Sequence, residues 1–270
     1  MFEVAERRPR VLIVGGGYTG VCLAVQLVRQ SDQALDITIV EPRDKLGQGL
    51  AYSTTDPDHR LNAPAYVHTA IPQEAWHFTR WCQLQGLHLE DPHARRPDGA
   101  SYMRRSDFAR YLLDTLQAHA QSAPNGCQIL HHRDEAIDAQ RLDTGWAVKT
   151  RAGQTLQADI VLLGTGNPPL RLPAPFEPVW RDHPAVIENA LNIKRLKALP
   201  RSARVLLLGG GLTARDALTT LLRQGHSGSV VVMSRRGLTP KPQGPVLPVL
   251  AQIDRPGVLD QLPGGVLLDR

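Results

Sequence analysis

The chain has 270 residues, of which 42% are hydrophobic and 21% charged, with a net charge of +5. That is an ordinary globular composition, with room for one large domain or two modest ones. No basic run is interleaved with aromatics, which argues against nucleic-acid binding, and no apolar run is long enough for a signal peptide or membrane span. The charge is uneven: residues 190–270 carry 12 Lys+Arg against 4 Asp+Glu, and the remainder carries 19 against 22. The basic third suits either a solvated surface or a phosphorylated ligand. Cys22, Cys82 and Cys127 are far apart, so they form neither a metal-ligand spacing nor a disulfide framework, and a reducing, cytoplasmic setting is expected.

The first element is VLIV at 11–14, a run short enough to be a buried strand, followed at once by Gly15, Gly16 and Gly17. Gly20 completes G-x-G-x-x-G, and residues 21–28 continue with helical apolar spacing. Gly15 lets the chain turn off the strand, Gly17 lets a pyrophosphate approach the backbone, and Gly20 lets helix and strand pack closely. The helix N-terminus, at Tyr18 and Thr19, offers free N–H groups and the positive end of its dipole. A second apolar run, 37–40, ends in Glu41, about 20 residues beyond the last glycine, where a carboxylate accepts from a ribose hydroxyl.

After Glu41 a glycine-punctuated loop is expected. Gly47 and Gly49 punctuate it, Ala51, Tyr52 and Ser53 are placed to bring backbone N–H groups near phosphates, and Arg43 and Lys45 are expected to face solvent, the alternative being the adenine side. Asn62 either offers a donor and an acceptor to a ring system or is a turn residue before Ala63-Pro64. Residues 74–84 read as a helix whose Trp76, Phe78 and Trp81 are packing groups, and 87–99 as a loop with His88 and His93 on the surface. A helix over 106–119 is predicted, with Ser106 as its N-cap. Arg104 and Arg105 before it read as a solvated basic turn, the alternative being a cofactor phosphate contact.

Residues 127–130 read as a short strand with His131 and His132 leading out of it. Adjacent histidines on a strand face opposite sides, so no metal site is expected. Residues 146–150 and 155–156 flank Ala152-Gly153 as a hairpin. The strand 158–163 ends in Gly164-Thr165-Gly166, which allows close approach of backbone to a ligand or a crossing segment. Residues 168–184 are a proline-rich linker. The pattern then begins again: a strand at 204–208, Gly209, Gly210, Gly211, Leu212, Thr213 and Ala214 as G-x-G-x-x-A, a helix over 215–224 and a strand over 229–233. Where the first unit has Glu41 the second has Arg235 and Arg236, which would pair with a 2′-phosphate. That favours NADPH over NADH, against the alternative of a solvent-facing arginine pair.

The predicted class is therefore α/β, with two Rossmann-like dinucleotide-binding units. GGGYTG, the 39–65 loop, ADIVLLGTGNPP and LGGGLTARDALTTLLRQGHSGSVVVMSRRGLTP resemble the bacterial FAD/NAD(P)-binding oxidoreductases related to urate-hydroxylase-like proteins. That resemblance implies a two-dinucleotide-binding flavoprotein, with a Rossmann-like FAD domain over 1–180 carrying a small antiparallel insertion and a partial Rossmann-like NADPH domain over 195–270. Flavin-containing monooxygenases and lysine/ornithine N-hydroxylases are more distant relatives. The resemblance spans about residues 10–240. It implies FAD at Gly15, Gly17, Gly20 and Glu41, with the 49–53 loop and Asn62 nearer the flavin. It implies NADPH at Gly209, Gly211, Thr213, Ala214, Arg235 and Arg236.

The sequence departs from its relatives in three ways. It lacks a C-x-x-x-x-C redox pair after Glu41, it lacks an F-x-G-x-x-x-H signature near the linker, and 240–270 shows no return to a flavin domain. A truncated chain is the expectation from the last point. The implied activity is that of an NADPH-using flavin monooxygenase acting on a small molecule, with Asn62 the one candidate near the reaction centre. The alternatives are a flavin-linked reductase or a redox-sensing remnant without turnover.

Overall fold

The computed structural model describes residues 7–168, 170–174, 180, 182–238 and 240–241. The expectations for 1–6, for parts of the 168–184 linker and for 242–270 lie outside these residues.

Strand β1 (Arg10–Val14) lies at the heart of a four-stranded, all-parallel sheet. It pairs with β2 (Asp36–Val40), which pairs with β3 (Gln128–His132), and on its other edge with β7 (Ile160–Leu163). The apolar runs read from sequence are buried because alternate residues serve different layers. Val11 and Ile13, with Ile37 and Ile39, face helix α1 (Tyr18–Gln30), which presents Val21, Ala24, Val25 and Val28. The same cluster takes in Phe108, Tyr111, Leu112 and Leu116 of α4 (Arg105–Gln121). Leu12 and Val40 point the other way, onto Val148 and Ala158 of an antiparallel sheet formed by β4 (Ala136–Leu142), β5 (Gly145–Thr150) and β6 (Thr155–Ala158).

Several boundaries differ from the sequence reading. The 74–84 helix starts only at His77 as α2 (His77–Leu84), because Trp76 adopts a left-handed φ of 64° that no helix interior accepts. Phe78 is buried as expected, but Trp76 is 53% exposed. Within the expected 87–99 loop lie α3 (Leu87–Glu90) and a 3-10 turn (Pro92–Ala94). Helix α4 begins one residue before Ser106: the Arg105 N–H donates to the His59 carbonyl, and no side chain caps the helix. Strand β3 runs on to include both histidines; the backbone amide of Glu41 bonds to the His132 carbonyl and the ring of His131 donates Nε2–H to the Glu41 carbonyl. Strand β4 escaped the sequence reading because six of its seven residues are exposed and its polar and apolar residues do not alternate. The 158–163 strand divides at Asp159, whose carboxylate accepts the Arg10 N–H at 2.7 Å and whose N–H donates to the Arg10 carbonyl, turning the chain from the antiparallel layer into the parallel one.

The second unit repeats the theme in smaller form. Strands β8 (Val205–Leu208) and β9 (Val230–Met233) pair in parallel. Helices α5 (Ile193–Lys197) and α6 (Leu212–Arg223) cover one face, packing Ile193, Leu196 and Ala217 with Leu207 of β8. Helix α6 starts three residues earlier than expected, which puts Thr213 and Ala214 in its first turn. No helix among the described residues is long and apolar enough to cross a membrane.

Candidate functional site

The first glycine turn is shaped by contacts that leave no room for side chains. Gly15 has φ +100°, and a Cβ there would lie 2.3 Å from the Gly164 carbonyl oxygen. This ties the turn to the end of β7, where the Gly164 N–H donates to the Val14 carbonyl. A Cβ on Gly20 would lie 1.9 Å from the Gly15 oxygen, so α1 sits directly on the turn. Gly17 and Gly49 face each other: a Cβ on Gly17 would come 3.3 Å from Gly49 Cα, and one on Gly49 would come 3.2 Å from Gly17 Cα. The two loops thus form a cradle that any side chain would fill. Helix α1 begins at Gly17 with no side-chain cap on its first turn. Sequence reasoning passed over Gly16, yet a Cβ there would strike Leu46 at 2.4 Å and Glu41 at 2.8 Å. Gly166 has φ +74° and open space about it.

Glu41 stands where the spacing placed it, at the end of β2, and is 4% exposed. One carboxylate oxygen accepts the Gly16 N–H at 2.9 Å. The other accepts the Arg43 N–H at 3.1 Å and pairs with Arg43 Nη1 at 2.8 Å. Arg43 is exposed, as expected, and the buried carboxylate draws its guanidinium back over it. The Tyr18 hydroxyl donates to the Thr69 carbonyl while its ring lies on Phe108, against which Tyr52 and His68 also pack. Burial, with the adjacent Tyr18 opposing it, pushes the Cys22 thiol up to about 11, so this cysteine stays a thiol at neutral pH. Thr19, Ala51 and Ser53 are exposed, and the Ser53 hydroxyl donates to the Leu50 carbonyl.

The expectation for Arg105 is overturned. It is 7% exposed, and its guanidinium is spent in three directions: Nε donates to the Arg60 carbonyl at 2.9 Å, Nη2 donates to Asn62 Oδ1 at 3.0 Å, and Nη1 pairs with Asp216 Oδ2 at 2.8 Å. Arg104 likewise pairs with the buried Asp91, at 3.3 Å. A basic dipeptide looks like a surface turn, but carboxylates separated from it in sequence make burial tolerable.

Around Arg105 runs a polar seam that the sequence reading missed. Fully buried His59 lies 2.8 Å from Thr54 Oγ1 through Nδ1, and through Nε2 lies 2.9 Å from Thr220 Oγ1 and 3.1 Å from the Asp216 carbonyl. The Thr220 hydroxyl donates to Asp56 Oδ2 at 2.8 Å. A carbonyl only accepts, so Nε2–H donates to the Asp216 carbonyl. Arg223 closes the seam on Asp58 at 2.8 Å. Burial works to raise the Asp56 carboxyl, but the Asp58 N–H, the Thr220 hydroxyl, His59 and Arg223 together hold it below the usual carboxylate range. At Asp216 burial prevails over the Arg105 charge and raises the carboxyl. The signal in the sequence is the run Asp56-Pro57-Asp58-His59-Arg60, richer in ionisable groups than a turn needs.

At the second turn, Gly209 has φ +107°, and Cβ atoms on Gly209 or Gly211 would meet nothing within 4 Å, so the space above the turn is open. Gly210 is the tight one, with the Leu238 carbonyl oxygen at 2.9 Å from its notional Cβ. Arg235 and Arg236, in the turn after β9, are exposed. Between the two units a cleft of about 220 Å³ is lined by Leu50, Ser53, Thr54, Leu191, Asn192 and Ile193, among others.

A parallel sheet with an uncapped helix over a glycine cradle, an acidic residue closing the second strand, and a second such turn later in the chain together define a dinucleotide-binding protein of the Rossmann class. The chain belongs to the FAD-NAD(P)-binding family, whose model matches residues 12–168. It is 25% identical over 169 residues to the 3-amino-4-hydroxybenzoate 2-monooxygenase of Streptomyces platensis, covering 59% of this chain and 41% of that enzyme. In fold it is similar to the ornithine hydroxylase of Pseudomonas aeruginosa, with a TM-score of 0.57 and 15% identity over 85% of this chain and 55% of that one. It is also similar to the lysine monooxygenase of Nocardia farcinica, with a TM-score of 0.52 and 23% identity over 83% of this chain and 60% of that one. The chain thus spans between two fifths and three fifths of the length of these relatives.

Proposed function

We propose that this chain forms the cofactor-binding part of an FAD-dependent, NADPH-using monooxygenase that acts on a small molecule. The observation that carries the reading is the pair of glycine turns, one in each unit, joined by the Arg105–His59 seam. FAD is assigned to the first unit, over 1–180, and NADPH to the second, over 195–270. The relatives support oxygen insertion, since the Streptomyces platensis enzyme is a monooxygenase. The cysteines support it too: Cys22 is part-buried, Cys82 and Cys127 are buried, and all three are free, so the chain offers no exposed dithiol for a disulfide-reductase reaction.

The residues fit the cofactors. Gly17 has no side chain to bar a pyrophosphate from the first turn of α1, that turn supplies N–H donors, and Glu41 holds a buried acceptor for ribose hydroxyls. The open second turn and the exposed Arg235 and Arg236 suit a 2′-phosphate. FAD bound here would supply hydride acceptance from nicotinamide and, once reduced, the reaction with oxygen. The chain's own part is to bind, orient and shield: Arg105 holds Asn62 through its Oδ1, and the 50–55 loop with residues 191–193 walls the cleft.

Two measurements test this. The purified chain with FAD, mixed anaerobically with NADPH, is expected to lose its flavin absorbance bands. A bound flavin that stays oxidised under excess NADPH would reject the two-cofactor assignment, and full turnover with another acceptor in the absence of oxygen would turn the reading to a reductase. Replacing both arginines, R235A with R236A, is expected to weaken NADPH binding by about 10- to 100-fold, the worth of a charge-assisted pair, while NADH binding changes less than twofold. Titration by nicotinamide fluorescence reads both; equal losses for the two nucleotides would remove the arginines from the 2′-phosphate role.

A further inference from the structure

We propose that Arg105 is a positioning residue that transmits the placement of helix α6, and so of the second glycine turn, to Asn62 in the first unit. The inference rests on the functional reading above for what Asn62 and the turn bind, but its structural core does not depend on any cofactor.

The geometry is a three-way clamp. Arg105 starts α4, is 7% exposed, and has its backbone N–H committed to the His59 carbonyl. Nη2 takes Asn62 Oδ1 at 3.0 Å, which fixes the oxygen side of that amide. Nη1 is ion-paired with Asp216 Oδ2 at 2.8 Å, one turn into α6 and three residues beyond Thr213. A guanidinium is planar, so the directions of its donors are fixed relative to one another. A shift of α6 that moves Asp216 therefore rotates the plane and drags the Asn62 contact with it. Asp216 and Thr220 are four residues apart and share one face of α6. Thr220 is held by His59 and Asp56, and Arg223 by Asp58, so α6 meets the first unit at three points along a single ridge. Points along one ridge define a hinge line, and of these contacts the one through Arg105 continues to Asn62. Coupling of this kind is reciprocal: whatever fixes Asn62 also steadies α6.

Hydrogen–deuterium exchange on the full chain without cofactors tests the clamp, with residues 60–65, 212–223 and strands β1 and β2 as separate windows. D216N, which keeps shape and removes charge, is expected to speed exchange at 60–65 at least tenfold while β1 and β2 stay at wild-type rates. D216E is expected to restore most of the protection. R105K, which keeps charge and loses the planar fork, is expected to behave as D216N does and serves if D216N does not fold. Unchanged exchange at 60–65 in D216N or R105K would overturn the proposal, and so would faster exchange spread equally over β1 and β2, which marks a merely structural role. Adding NADP+ to the wild type is expected to slow exchange at 212–216 and at 60–65 together. Slowing at 212–216 alone would overturn the coupling. Absence of slowing in both windows would overturn the NADPH assignment, and the cofactor-free comparison would still decide the clamp.

Discussion

Gly20→Ala is expected to lower the stability of the chain by about 3 kcal/mol, at the upper end of what overpacking costs. The added Cβ would lie 1.9 Å from the Gly15 carbonyl oxygen. Neither partner can yield cheaply, because Gly15 is locked in turn by Gly164, whose oxygen lies 2.3 Å from the Cβ that Gly15 lacks. Helix α1 must therefore lift off β1, loosening Val21, Ala24 and Val25 from Val11 and Ile13. Urea unfolding reads the change as a lower midpoint. Gly211→Ala is the matched control at the second turn: its φ is −79° and a Cβ there meets nothing within 4 Å, so stability should stay within about 0.5 kcal/mol. Equal losses in the two variants would show that the first turn is not the tighter one.

Glu41→Ala is expected to weaken FAD binding at least 30-fold and to cost the cofactor-free chain about 2 kcal/mol. The first effect is the loss of a charge-assisted acceptor for the ribose, worth about 1.5–3 kcal/mol. The second follows from the buried Gly16 N–H and the Arg43 guanidinium, both of which now have Glu41 as partner. Glu41→Gln keeps an acceptor for Gly16, so it should recover much of the stability and little of the affinity. Absorbance titration with FAD and thermal unfolding separate the two. An affinity unchanged in both variants would place the ribose elsewhere.

The parallel core and both turns were legible in the sequence because their signals are local. Four apolar residues before three glycines leave few alternatives to a buried strand and a tight turn, and Glu41 was found by its spacing alone. The rest was hidden for identifiable reasons. Strand β4 is an exposed edge, with no alternation to read. Helix α2 lost its first turn to the left-handed Trp76, a conformation that no propensity scale assigns to tryptophan. Arg105 was misread because its burial depends on Asp216, which lies 111 positions away in the chain. The seam was invisible for the same reason: each of its members is an ordinary loop or helix residue until the fold brings them together.

The seam also bears on the order in which the molecule assembles. Its contacts between the two units join residues 111 to 165 positions apart, from Arg105 with Asp216 to Arg223 with Asp58. Closing a loop of that length costs about 4–5 kcal/mol of chain entropy before any contact forms. The receiving loop, 54–60, is held by local bonds among Thr54, Asp56, Asp58 and His59, whereas α6 has its own apolar ridge only through Ala217 and its neighbours. The first unit is thus the template and α6 the late arrival, so folding should be limited by docking of a long-range surface and not by making the helices. During synthesis the template leaves the ribosome first, and the second unit emerges onto a partner already in place.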